Sequence, residues 1–94
     1  MDSETINIRA VISGRVQGVF YRAETQKAAR RHNVKGWVRN LPGGDVEAMF
    51  EGKKEDVEKM VDWCRKGPPA SAVSSVKTEK NSTLEDFTDF TITG

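Results

Sequence analysis

Over residues 6–32 the hydrophobic period changes from two to about 3.6 across a glycine-bounded loop, and this switch constrains the fold more than any other feature of the chain. Ile6, Ile8, Ala10 and Ile12 alternate with Asn7, Arg9, Val11 and Ser13, which predicts a first strand with one buried face. From about Phe20 to His32 the chain is rich in Ala, Glu, Gln, Lys and Arg, which predicts a helix. Tyr21, Thr25, Ala28 or Ala29, and His32 would form its inner stripe. Asn33 suits the left-handed residue that closes a helix, and Arg30 and Arg31 complement the negative end of the dipole. Gly14-Arg-Val-Gln-Gly18 joins the two elements.

The remainder repeats the theme. Gly36–Asn40 reads as a short strand, Leu41-Pro-Gly-Gly44 as a turn, and Val46, Ala48 and Phe50, alternating with outward Glu47, Met49 and Glu51, as a third strand. Val57, Met60, Val61 and Cys64 have the spacing of one helical face, which predicts a second helix over about Lys54–Lys66, stopped by Gly67-Pro68-Pro69. Val73–Thr78 predicts a fourth strand. A polar loop around Asn81-Ser82-Thr83 then leads to a short final strand containing Thr88, Phe90 and Ile92. The order β-α-β-β-α-β with an extra edge strand predicts an α+β, ferredoxin-like sandwich. An antiparallel sheet would carry two helices on one face. With 94 residues, one domain over 1–94 is expected, its first five residues flexible.

Composition removes several function classes. Fifteen basic residues against fourteen acidic ones give a net charge of +1, too balanced for bulk electrostatic binding of nucleic acid. No apolar run reaches the roughly 18–20 residues that span a membrane, and MDSETINIRA lacks the basic and apolar regions of a signal peptide. A cytoplasmic monomer is therefore expected. Cys64 and His32 are the only residues of their types, so there is no intrachain disulfide, and a zinc site would draw most ligands from carboxylates.

The stretch Gly14–Arg22 carries the chemistry. Its glycines let successive backbone N–H groups of Arg15, Val16, Gln17, Gly18 and Val19 turn into one concavity, and the helix that follows adds its unpaired N–H groups. Such a site suits a phosphate-like anion, and Arg22 in the first helical turn can grip two of its oxygens. The same glycines also serve a plain strand-to-helix connection, and an arginine near a helix start is often merely solvated. The spacing matches neither a P-loop nor a dinucleotide fingerprint.

GRVQGVFYR closely resembles the signature of the acylphosphatase family, and Gly36-Trp37-Val38-Arg39-Asn40 resembles that family's second block. Glu51-Gly52, the Trp63-containing helix, Gly67-Pro68-Pro69 and Asp89-Phe90-Thr91-Ile92 extend the resemblance over residues 6–92. His32 and Asn33 depart from it, standing where the family commonly carries leucine and glycine. The resemblance implies hydrolysis of the carboxyl–phosphate anhydride of acyl phosphates without a metal or other cofactor. Arg22 would grip the phosphoryl group, Asn40 would position water, and inorganic phosphate would be product and weak inhibitor. In a split βαβ unit the first and second strands run parallel on either side of the third, so Arg22 and Asn40 are expected at one sheet edge.

Rival readings are weaker. Cys64 lies on an apolar stripe, and a Cys-x5-Arg phosphatase would need arginine where Ala70 stands. Lone His32 at a helix end reads as packing or capping rather than as a phosphoenzyme site. Asp56, Glu58, Asp62, Asp86 and Asp89 read as solvated charge rather than metal ligands, and Trp37 and Trp63 as core or rim aromatics. An RNA-binding module would want exposed aromatics on the central strands. The alternative of another class is a non-catalytic module that binds phosphate or carbamoyl phosphate.

Overall fold

The computed structural model describes residues 4–94. Its elements are β1 (Thr5–Arg15), α1 (Tyr21–Arg31), β2 (Lys35–Asn40), β3 (Val46–Lys53), α2 (Lys54–Lys66), β4 (Ala72–Asn81) and β5 (Phe90–Ile92). The strands form one sheet in the order β4-β1-β3-β2-β5. β3 pairs antiparallel with β1 and β2, so β1 and β2 run parallel on either side of it. This is the ferredoxin-like α+β arrangement. The sheet is mixed rather than wholly antiparallel, because β5 lies parallel to β2, pairing Gly36 with Phe90 and Val38 with Ile92.

One face of the sheet builds the core with both helices. Ile12, Val38, Val46, Phe50 and Phe90 from the sheet meet Tyr21, Ala28 and Ala29 of α1 and Val57, Met60 and Cys64 of α2. The small residues at 28 and 29 let α1 sit close to the sheet. Its buried stripe ends there, since His32 is only half-buried at the C-cap. Asn33 adopts the left-handed conformation (φ 57°), as its place after the helix suggested.

The outer face differs from expectation. Glu47, Met49 and Glu51 were expected to face solvent, yet all three are buried (4%, 8% and 5% exposed). β3 is the middle strand, so its outward side chains are overlaid from both sides. Glu47 is clamped between Arg9 of β1 and Arg39 of β2. Glu51 is covered by the segment after β4, accepting hydrogen bonds from the backbone N–H groups of Glu85 (2.7 Å) and Phe87 (3.1 Å). Asn81, expected in a loop, ends β4 and donates to Asn7 Oδ1 at 2.6 Å. Trp37 lies on this face under the Arg39 guanidinium, 5.3 Å from its ring centre, whereas Trp63 packs against Tyr21.

Of the tail expected to be flexible over residues 1–5, residues 1–3 lie outside the described residues. Thr5 is already in β1, opposite Lys53, and the Glu4 carbonyl accepts from the Lys54 N–H.

Candidate functional site

β1 runs on through Gly14 and Arg15, farther than the alternation of Ile6–Ser13 indicated. Its pairing with β4 shifts between Ser13 and Gly14, which makes a bulge. Gly14 is required there: at φ 121°, a Cβ would stand 2.2 Å from the Ala72 carbonyl oxygen. This glycine therefore serves the bulge, and the loop proper begins after Arg15. Val16 and Val19 point into the core, pinning the loop from beneath. Between them Gly18 (φ 74°) turns the backbone outward, and Phe20 (φ 64°) enters α1 from the left-handed region.

No side chain caps the start of α1. Its first three residues, Tyr21, Arg22 and Ala23, line a cleft of about 310 Å³ together with Val16, Gly18 and Phe20. Asn40 from the end of β2 and Ile92 from β5 complete it. The parallel course of β1 and β2 thus brings Arg22 and Asn40 to one sheet edge and into one cavity.

Each has an unusual setting. Arg22 donates from Nη1 to the Gly94 carbonyl oxygen at 2.9 Å, which orients a guanidinium that remains accessible. Asn40 Oδ1 is buried and, among the described residues, is the only such side-chain oxygen or nitrogen without a hydrogen-bond partner. An orphaned buried acceptor costs about 1–3 kcal/mol, and this one belongs to a residue that lines the cleft.

The other sequence candidates divide. Val16 and Gly18 line the cleft; Arg15, Gln17 and Val19 do not. Arg15 is exposed opposite Ala72 in β4. Gln17 donates from Nε2 to the carbonyls of Leu41 and Asp45, each at 2.8 Å, so its side chain holds the β2–β3 turn immediately after Asn40. Val19 is a core residue. Sequence reasoning missed Phe20, Ala23, Ile92 and the Gly94 carbonyl. The positions of Phe20 and Ala23 beside Arg22 were a usable signal, but Ile92 and Gly94 arrive through the parallel pairing of β5.

Cys64 lies outside this cleft, buried on α2, and burial pushes its thiol up to about 12. It is thus held as an unreactive thiol. Tyr21 donates its hydroxyl to the Cys64 carbonyl at 2.8 Å, and burial raises its phenol well above the ordinary value.

Fold and cleft together define a ferredoxin-like sandwich with one accessible arginine and one carboxamide whose oxygen has no partner, at the carboxyl ends of its two parallel strands. The sequence model of the acylphosphatase family matches residues 8–92. An acylphosphatase of Syntrophus aciditrophicus is 47% identical over 85 residues, covering 90% of this chain and 88% of that protein. Among solved structures, an acylphosphatase from Coxiella burnetii superposes with a TM-score of 0.91 at 38% identity, covering 95% of this chain and 93% of the other. One from Bacillus subtilis gives 0.92 at 31% identity, covering 95% and 99%. The chain belongs to the acylphosphatase family.

Proposed function

We propose that this protein is an acylphosphatase that hydrolyses acyl phosphates to a carboxylate and inorganic phosphate, with Arg22 and Asn40 as its catalytic pair. The observation that carries this reading is that Arg22 and Asn40, whose Oδ1 has no hydrogen-bond partner, line one cleft.

The phosphoryl group sits against Arg22 and the backbone N–H groups around Val16 and Gly18 and of the first turn of α1. A phosphoryl oxygen about 4 Å from a guanidinium gains roughly 4 kcal/mol per unit charge at an effective dielectric near 20. The Asn40 carboxamide holds the attacking water, turning its lone pair toward phosphorus. As the water oxygen bonds to phosphorus, the bond from phosphorus to the acyl oxygen breaks and its electron pair leaves on the carboxylate. The proton lost by the water passes to a phosphate oxygen, since a carboxamide is no base. A carboxylate with a conjugate acid of pKa about 4 leaves without general-acid help. Positioning and charge stabilisation then suffice, as in other phosphoryl transfers, and this is why the reading requires neither a metal nor another cofactor. A cytoplasmic, monomeric enzyme weakly inhibited by its product phosphate completes the proposal.

The test is hydrolysis of acetyl phosphate by the purified protein in the presence of a chelator, with Arg22→Ala alongside. Turnover that survives the chelator and disappears in the variant supports the enzyme. Phosphate binding without turnover in the wild type favours the non-catalytic binding module instead.

A further inference from the structure

Among the described residues only three large hydrophobic side chains are exposed: Phe20 (80%), Leu84 (45%) and Ile92 (41%). Two of the three, Phe20 and Ile92, line the cleft that holds Arg22 and Asn40. They reach it from unrelated directions. Phe20 stands at the N-cap of α1, two residues before Arg22, and Ile92 comes from β5, opposite Val38 and two residues short of the end of β2.

Phe20 is costly in two ways. A bulky side chain in the left-handed region is strained, and its ring is left in water. Glycine or asparagine would make the same turn with less strain and nothing apolar exposed. The ring does not cap the helix and contributes nothing to the buried core. The lining around Arg22 and Asn40 is mostly apolar, with Val16, Phe20, Tyr21, Ala23 and Ile92.

We infer that Phe20 and Ile92 form the seat of the acyl group and select acyl phosphates with an aromatic or branched apolar chain over acetyl or carbamoyl phosphate. This deepens the hydrolase reading and rests on it. With the phosphoryl group held at Arg22, the acyl carbon projects toward the rim. Covering about 50–60 Å² of apolar surface at about 25 cal/mol per Å² corresponds to roughly tenfold in affinity.

The test compares kcat/KM for benzoyl phosphate and acetyl phosphate, together with inhibition by inorganic phosphate, in the wild type, Phe20→Asn, Phe20→Tyr and Ile92→Thr. Asparagine tolerates the left-handed conformation, and circular dichroism checks that the variants keep their fold. The intrinsic reactivities of the two anhydrides cancel when one protein is compared with another. Phe20→Asn is expected to lower the benzoyl-to-acetyl ratio about tenfold, chiefly through KM, with the inhibition constant of phosphate moved less than twofold. Ile92→Thr lowers the ratio about threefold, and Phe20→Tyr, which keeps the ring, holds it within twofold. An unchanged ratio in Phe20→Asn, an equal loss on both substrates, or a matching change in phosphate inhibition overturns the acyl seat while leaving the hydrolase standing. Absence of wild-type turnover on either compound overturns both.

Discussion

Glu51 and Asn40 stand at opposite ends of neighbouring strands, β3 and β2, and their surroundings differ in kind. The Glu51 carboxylate accepts from Asn7 Nδ2 at 2.9 Å and from the backbone N–H groups of Glu85 and Phe87, while Asn81 ties Asn7 to β4. Every hydrogen bond there crosses between separate parts of the chain and locks them. At the other end Asn40 Oδ1 has no partner, Phe20 sits in the left-handed region, and α1 begins without a side-chain cap. The closed network specifies where β4 and the following segment lie, and so guides β5 to the edge of β2. The open end brings Arg22, Asn40 and the uncapped start of α1 to one cleft. Polar groups are satisfied where they hold the fold, and one is left without a partner in a residue that lines the cleft.

Substitutions should separate the two ends cleanly. The largest effect belongs to Arg22→Ala, for which kcat/KM should fall at least about a thousandfold, the lower range for an arginine that stabilises a transferring phosphoryl group. Steady-state assays and thermal melts check this together, because the Tm should hardly move: the arginine's contact with Gly94 is exposed. Lysine should rescue poorly, lacking the planar fork.

Glu51→Ala inverts the pattern. Removing the carboxylate strands the Asn7 amide and two backbone N–H groups, at a cost of about 3 kcal/mol in urea unfolding. The folded variant should keep wild-type KM and kcat within a few-fold at low temperature. A stable Glu51→Ala protein with lost activity would break the division between the ends.

For Asn40→Ala a fall in kcat of about a hundredfold is expected, comparable to losing one oxyanion-hole donor, with phosphate still bound. Its Tm should be unchanged or higher, since a buried oxygen without a partner disappears. Differential scanning calorimetry decides the matter, and a fall of several degrees would show that Asn40 serves the fold.

The smallest effect is a pH slope. Burial opposes ionisation of Glu51, but donors from Asn7, Glu85 and Phe87 outweigh it and hold the carboxyl below its ordinary value. Burial likewise opposes ionisation of Glu47, and the hydrogen bonds and charges of Arg39 and Arg9 overcome it. With the folded value below the unfolded one of about 4.3, the unfolded chain binds protons first as acid is added. The stabilisation is therefore complete above about pH 4.3 and is lost as pH falls through the lower, folded value. Melts from pH 6 to pH 3 should drop more steeply for wild type than for Glu51→Gln, and equal slopes would remove Glu51 from the acid response.

Much of this was legible along the chain. The period of two over Ile6–Ile12 and the helical spacing of Val57, Met60 and Cys64 report local geometry, because side chains on one face of an element recur at its own repeat. Arg22 and Asn40 were also readable as a pair, since parallel β1 and β2 must end on the same edge. The outer face was not legible. Whether Glu47 and Glu51 meet water depends on Arg9, Arg39 and the segment through Phe87, residues up to 38 positions away. The spacing of Gln17 from Gly18 likewise gave no sign that its side chain turns to the β2–β3 hairpin.

By itself the sequence determined the elements, their order, the loop that leads into Arg22 and the family to which they belong, because each is written in short-range period and spacing. Only the tertiary structure decided which charges are buried, that β5 runs parallel to β2, and that Ile92 reaches the cleft beside Phe20. Those outcomes depend on contacts between residues distant in the chain, where burial and hydrogen bonding are set by what the fold lays over a residue rather than by its neighbours in sequence.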